Sequence, residues 1–215
     1  MMHVSSHLAG GSMLKQIYIV DDDEPVRKSL QSLLNMRPEF VVSSFSSGDQ
    51  FLAEAQSLEP GVVLLDVHMT GASGMDVLSA INARDLPMVC VIITGHGNIA
   101  MAVQAMQAGA IDFLEKPYDH SALIDTIERA NSRLQEVEAD AARVLAAQQS
   151  IARLAPREID VLMGLIAGKV NKVIAHELDI SPRTVEVYRA NLMTKLHVRT
   201  LPDALRIAFA AGLVD

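Results

Sequence analysis

Six side chains in four short segments have the types needed to handle a phosphoryl group. They are Asp21, Asp22 and Asp23 in VDDDEP, Asp66 in LLDVHM, Thr94 in IITGHG and Lys116 in FLEKP. A carboxylate attacks a dianionic phosphoryl group poorly until a metal neutralises charge on the oxygens and a cation clamps the rest. Carboxylate oxygens are hard ligands, and with open coordination positions they suit magnesium. The Thr94 hydroxyl and the Lys116 ammonium would complete such a set. Taken singly, each residue has an ordinary explanation: acids are common in loops, Thr94 can cap a helix, and Lys116 can be a solvated charge. Their meaning depends on whether the fold brings them together.

The elements that must do so are legible as apolar runs alternating with helical stretches. QIYIV precedes Glu24 to Met36, FVVSSF precedes Asp49 to Ser57, and GVVLLD precedes Ser73 to Ala83. PMVCVIIT precedes Ile99 to Gln107, and AIDFLE precedes a long helix from about His120. Five strand-helix units predict a parallel sheet covered on both faces, with its site at the carboxyl ends of the strands. The acids follow strands 1 and 3, Thr94 ends the fourth and Lys116 follows the fifth, so all converge on one rim. His68 and His96 flank it, but their spacing is not that of a zinc site and their neighbours are oxygens, so they read as solvated loop histidines. The single cysteine, Cys90, lies in an apolar run and reads as a buried small hydrophobe. No disulfide framework can form.

Length and charge divide the chain. Its 215 residues suit two domains, and 50% hydrophobic content supplies packed cores. Residues 1–150 carry 9 Lys and Arg against 19 Asp and Glu, whereas 151–215 carry 9 against 7. The overall charge of -8 therefore hides a net of -10 followed by a net of +2, and any nucleic-acid contact belongs to the second part. Residues 1–14 are small, polar and without period, predicting a flexible tail. No apolar run reaches membrane-spanning length and the start lacks signal-peptide features, so a cytoplasmic protein without membrane contact is expected. From Ile127, the residues Ala130, Leu134, Val137, Ala141, Val144 and Ile151 recur by threes and fours. That spacing fits a coiled-coil-like seam, or equally an amphipathic linker helix packed on its own domain.

Beyond Pro156 the pattern predicts four short helices, near 156–167, 171–178, 182–196 and 200–211. Asp179-Ile180 makes a turn, Ser181 caps the next helix and Pro182 takes its first position, where no amide hydrogen is required. A helix-turn-helix follows. At 100° per residue, Val185, Tyr188, Leu192 and Leu196 share one face of its second helix. Arg183, Glu186, Val187, Ala190, Asn191 and Thr194 share the other.

VDDDEPVRKSL, LLDVHMTGASGMDVL, VIITGHG and AGAIDFLEKPY resemble the signature segments of response-regulator receiver domains, over residues 15–130. The resemblance implies a flavodoxin-like doubly wound five-stranded parallel sheet with Asp66 as phosphoacceptor. It further implies Mg2+ held by Asp22, Asp66 and the backbone carbonyl of His68, with Asp21 supporting the ion through water. Thr94 and Phe113 would be the switch pair, Lys116 the phosphoryl-binding cation, and the Lys116-Pro117 peptide cis. Thr70 departs from the pattern, because the family usually has proline after the methionine of HMTG; a softer loop is expected there, with the acidic site untouched.

After a helical linker at 131–152, residues 153–215 resemble the all-α LuxR-type four-helix DNA-binding domain, and the whole chain resembles the NarL/FixJ family. Lys169, Lys172, Arg189, Lys195 and Arg199 are expected at DNA phosphates. Base contacts would fall to Arg183, Glu186, Val187, Ala190 and Asn191, with Thr184 beside them. Glu186 and Ala190 stand where more basic members carry lysine, which predicts modest intrinsic affinity. The resemblance thus implies a transcription regulator, not a turnover enzyme, phosphorylated by a sensor histidine kinase. It would bind double-stranded operator DNA as a homodimer when phosphorylated, with RNA polymerase a candidate further partner. Two rivals stay open. A haloacid-dehalogenase-type phosphotransferase also uses aspartate and magnesium, but carries a second aspartate where this chain has His68. A DNA-binding protein with a vestigial receiver would not need Asp21, Asp22, Asp66, Thr94 and Lys116 together.

Overall fold

In the computed structural model, residues 14–95 and 99–213 are described. His96, and all but the last residue of the tail expected at 1–14, lie outside them. The strands are β1 (Lys15–Val20), β2 (Phe40–Phe45), β3 (Gly61–Asp66), β4 (Met88–Thr94) and β5 (Asp112–Glu115). Between them run α1 (Glu24–Leu34), α2 (Gly48–Glu54), α3 (Gly74–Ala83) and α4 (Ile99–Gln107), and α5 (His120–Ile151) follows. All pairings are parallel, in the order β2-β1-β3-β4-β5.

Alternation along each strand builds two cores. Tyr18, Val20, Val63, Leu65, Cys90 and Ile92 face one side with Phe51, Val77 and Ile81. Ile17, Ile19, Val62, Leu64, Val91 and Ile93 face the other with Leu30, Leu34, Leu123 and Ile127. Because helices cover both faces, β3 and β4 are apolar at nearly every position and buried throughout. Strand order reverses at β1 and β3, whose last residues pair as Val20 with Leu65. The residues that follow, Asp21 and Asp66, therefore emerge side by side at the switch point, where such sheets place their ligands.

The chain divides into two compact units, at Val137 and Glu138. Asn131 and Leu134 are buried and Leu134 belongs to the α1/α5 core, so the packing of the first unit continues along α5 past residue 130. The long seam is not one buried stripe. Ile127, Ala130 and Leu134 are covered, Val137 and Val144 are exposed, and Ile151 joins the core of the second unit. The first half of the helix accordingly takes the amphipathic role. Two other limits move slightly: α1 ends at Leu34, and α2 tightens into a 3-10 turn over Ala55–Ser57.

The second unit holds α6 (Pro156–Ile166), α7 (Asn171–Glu177), α8 (Pro182–Lys195) and α9 (Leu201–Ala210). Its core gathers Val161, Leu162, Ile174, Val185, Leu192, Leu196, Ala204 and Ala208. Among the described residues no helix is long and apolar enough to cross a membrane.

Candidate functional site

Asp66 closes β3 and Asp21 follows β1; they expose only 8% and 3% of their surface. Lys116 leaves β5 with its amide bonded to the Thr94 carbonyl at 2.8 Å, which extends the β4–β5 ladder and aims the side chain inward. Its ammonium donates to Asp21 Oδ2 at 2.7 Å and to Asp66 Oδ1 at 2.9 Å. Asp66 Oδ2 accepts from the His68 amide at 2.7 Å, and Asp21 Oδ1 accepts from the Asp23 amide. Burial pulls the Lys116 pKa down, but hydrogen bonds and charge from Asp21 and Asp66 outweigh it, so the ammonium titrates above its ordinary value. The Lys116-Pro117 peptide is cis. Thr94 is fully buried, with Oγ1 3.3 Å from His68 Nδ1, and Phe113 is half-buried against the sheet core. His68 is exposed, as read from sequence, yet it meets the Thr94 hydroxyl rather than solvent alone.

Asp22 stands apart. Its carboxylate is exposed and accepts the Thr70 amide at 3.1 Å. The expectation that Thr70 leaves the acidic site untouched is therefore corrected: the donor is a main-chain amide that proline would not possess. Among the described residues no three acidic or histidine side chains converge as a metal group. Sequence reasoning also missed Arg27, whose guanidinium donates to the Asp21 carbonyl at 2.7 Å. Gly74 was missed as well; a Cβ there would collide with the Asp66 carbonyl oxygen, so α3 can start beside the site only without a side chain.

In the second unit, Asp179 turns the chain with φ 54°, and Ser181 Oγ accepts the Thr184 amide at 3.1 Å to open α8. Val185, Leu192 and Leu196 are buried, while Arg183, Glu186, Val187, Ala190, Asn191 and Thr194 are exposed. Thr184 is half-buried, and its hydroxyl lies 2.8 Å from that of Ser181 at the cap. Three expected phosphate cations have protein partners: Lys169 pairs with Glu177, Arg189 donates to Asn171, and Lys195 pairs with Glu158. Lys172, Arg183 and Arg199 form no ion pair among the described residues. Glu158 was not foreseen. It is buried, accepts the Ala155 amide at 2.7 Å and so ties the start of α6 to the end of α8.

Comparison with known proteins matches both units. Residues 17–128 fit the response regulator receiver domain, and residues 152–208 fit the bacterial regulatory proteins of the luxR family. The transcriptional regulatory protein FixJ of Rhizobium meliloti is 44% identical over 91% of this chain and 96% of its own length. The chain belongs to the NarL/FixJ family of response regulators. The response regulator protein TodT of Pseudomonas putida is 37% identical over 89% of the chain and 84% of its own. Among solved structures, the response regulator StyR matches with TM-score 0.79 and 37% identity, covering 91% of this chain and 98% of that one. Full-length FixJ from B. japonicum matches with TM-score 0.57 and 41% identity, covering 94% and 100%. As a NarL/FixJ regulator, the chain joins a receiver to a LuxR-type DNA-binding domain and works in transcription through phosphorylation-dependent control.

Receiver domains of this kind generally bind magnesium. The donor chemistry of this regulator fits that ion. Two buried carboxylates share one ammonium, leaving net negative charge and hard oxygen donors at a poorly solvated rim.

Proposed function

We propose that Asp66 is the phosphoacceptor of this regulator and that its phosphorylation by a sensor histidine kinase controls DNA binding by α8. One observation carries the reading: the Asp66 carboxylate sits at the sheet's switch point with Lys116 on one oxygen and the His68 amide on the other. One of its oxygens forms the new bond to phosphorus as the bond to the donor's histidine nitrogen breaks. Asp22, Asp66 and the His68 carbonyl would hold magnesium, with Asp21 behind them, and the ion supplies charge neutralisation at the transferring oxygens. Lys116 clamps the phosphoryl group. Thr94 then turns toward it, leaving His68, and Phe113 moves into the vacated space. No turnover of a released substrate is involved, so the molecule is a switch rather than an enzyme.

Exposed Ile99, Val103 and Met106 recur at i, i+4 and i+7 on α4, which supports homodimerisation of the phosphorylated receiver through the face around α4 and β5. Residues 151–215 carry a charge of only +2 and present one recognition helix, so single-copy binding is weak and two linked copies are needed. Arg183, Glu186, Val187, Ala190 and Asn191 read bases, and Lys172 and Arg199 meet phosphates. Lys169, Arg189 and Lys195 must release or share their present partners to join them. A cytoplasmic location and contact with RNA polymerase accompany this role. The test is labelling by a small phosphodonor in magnesium: the parent chain takes up phosphate and Asp66→Asn does not. Full labelling of Asp66→Asn removes the assignment.

A further inference from the structure

Thr70 offers what a proline at its position would lack, an amide hydrogen, and the structure shows where that hydrogen goes. It reaches Asp22 Oδ2 at 3.1 Å, while Asp21 and Asp66 are gathered by Lys116. Two adjacent carboxylates on the same loop thus have different fates: Asp21 is buried within the cluster, and Asp22 is exposed and held across the rim by the β3–α3 loop. The next residue, Gly71, has φ 80°, a left-handed conformation that glycine adopts without strain and that turns the loop at this point. Asp49 Oδ2 accepts the Ala72 amide at 3.1 Å, which pins the other end of the same turn. The Thr70 amide is therefore presented by an anchored loop rather than met by chance.

We propose that the Thr70 amide is a latch on Asp22 that sets the magnesium affinity of this receiver. Magnesium must draw the Asp22 carboxylate from that amide before Asp22 and Asp66 can serve the ion together. A loop bearing proline at this position offers no such competitor. The inference rests on the reading of Asp22 and Asp66 as magnesium ligands given above, and Thr70 acts as a positioning residue through its main chain. Because Asp22 itself is exposed, its hydrogen bond is taken at the ordinary net strength rather than the larger charge-assisted one, which corresponds to a change in affinity of about 3- to 10-fold.

Calorimetric titration of magnesium into the full chain tests the latch. Thr70→Pro, which removes the amide hydrogen, should bind about 3- to 10-fold more tightly. Thr70→Ala keeps the amide and should bind like the parent. In an Asp22→Ala background, which leaves no side-chain acceptor for the amide, Thr70→Pro should change nothing, because the coupled partner is gone. Equal or weaker binding by a folded Thr70→Pro chain overturns the latch. Should Asp22→Ala bind magnesium as the parent does, the ligand assignment falls and the latch falls with it. Hydrogen exchange at the Thr70 amide of the parent chain gives a second measurement that no substitution can disturb. Protection should drop when magnesium is added, and protection that persists unchanged overturns the proposal.

Discussion

Replacing Lys116 with methionine removes the cation shared by Asp21 and Asp66 while keeping most of the side-chain volume. In the parent chain the ammonium stands 2.7 and 2.9 Å from these carboxylates, both almost fully buried. Without it, two like charges face each other at adjacent strand ends. Deleting one partner of a buried ion pair costs about 3–5 kcal/mol. Since the Lys116 side chain is 22% exposed, water screens part of the loss, and the lower end, about 3 kcal/mol, is expected. At about 4 °C per kcal/mol for a unit of this size, the receiver transition should fall by about 12 °C in chelator. Magnesium should restore much of it by supplying positive charge to the same acidic cluster. Scanning calorimetry of the full chain, with chelator and with magnesium, reads both quantities. A fall of under about 3 °C, or one that magnesium leaves unchanged, refutes the electrostatic account. The pair also fixes a pH dependence. Because the folded Lys116 titrates above the ordinary 10.5, its contribution is complete below that value and lost as pH rises through the higher folded one. Lys116→Met should lack that alkaline loss.

Glu158→Ala should lower the melting point of the DNA-binding unit by about 10 °C, from about 2 kcal/mol of lost capping and pairing, as followed by circular dichroism. Burial disfavours the Glu158 charge, but Lys195 and the Ala155 amide outweigh it and hold the carboxyl below its ordinary 4.5. That stability is present above pH 4.5 and fades as pH falls through the folded value, and the variant should lose the acid limb. Lys172→Ala should weaken binding to all DNA alike and reduce the salt slope by about 1. Asn191→Ala should cost about 1–3 kcal/mol at one base position, seen by anisotropy on operator and scrambled duplexes. Burial pushes the Cys90 thiol up to about 12, so the native chain should resist thiol reagents until denatured. Rapid native labelling would contradict its place in the core.

Strands and rim were legible because alternation and strand ends are local properties. QIYIV and GVVLLD announce β1 and β3, and adjacency at the switch point then brings Asp21 to Asp66. The exposed face of α8 was equally plain, since Ser181 and Pro182 set the start of α8 and thereby the phase of every later residue. What stayed hidden depends on partners distant in sequence or on loop geometry. Nothing in HMTG shows that the Thr70 amide points at Asp22, 48 residues earlier. That Lys195, an expected phosphate contact, also has a protein partner was hidden because that partner, Glu158, lies 37 residues away in another helix. The seam of α5 left two readings open for a related reason: spacing reveals an apolar face but not what covers it, and here Leu134 is covered by the receiver core while Val137 is exposed.

The claim that joins the two units is that the phosphoryl state of Asp66 governs DNA binding by α8. It is tested most directly by titrating the full chain onto an operator selected from a random DNA pool, at fixed salt, with and without beryllium fluoride and magnesium. The account predicts that the activated chain binds as a dimer, about 100-fold or more tightly than the resting chain, and that Asp66→Asn does not respond. Resting monomer that binds as tightly as the activated chain, or an Asp66→Asn chain that responds like the parent, would contradict it.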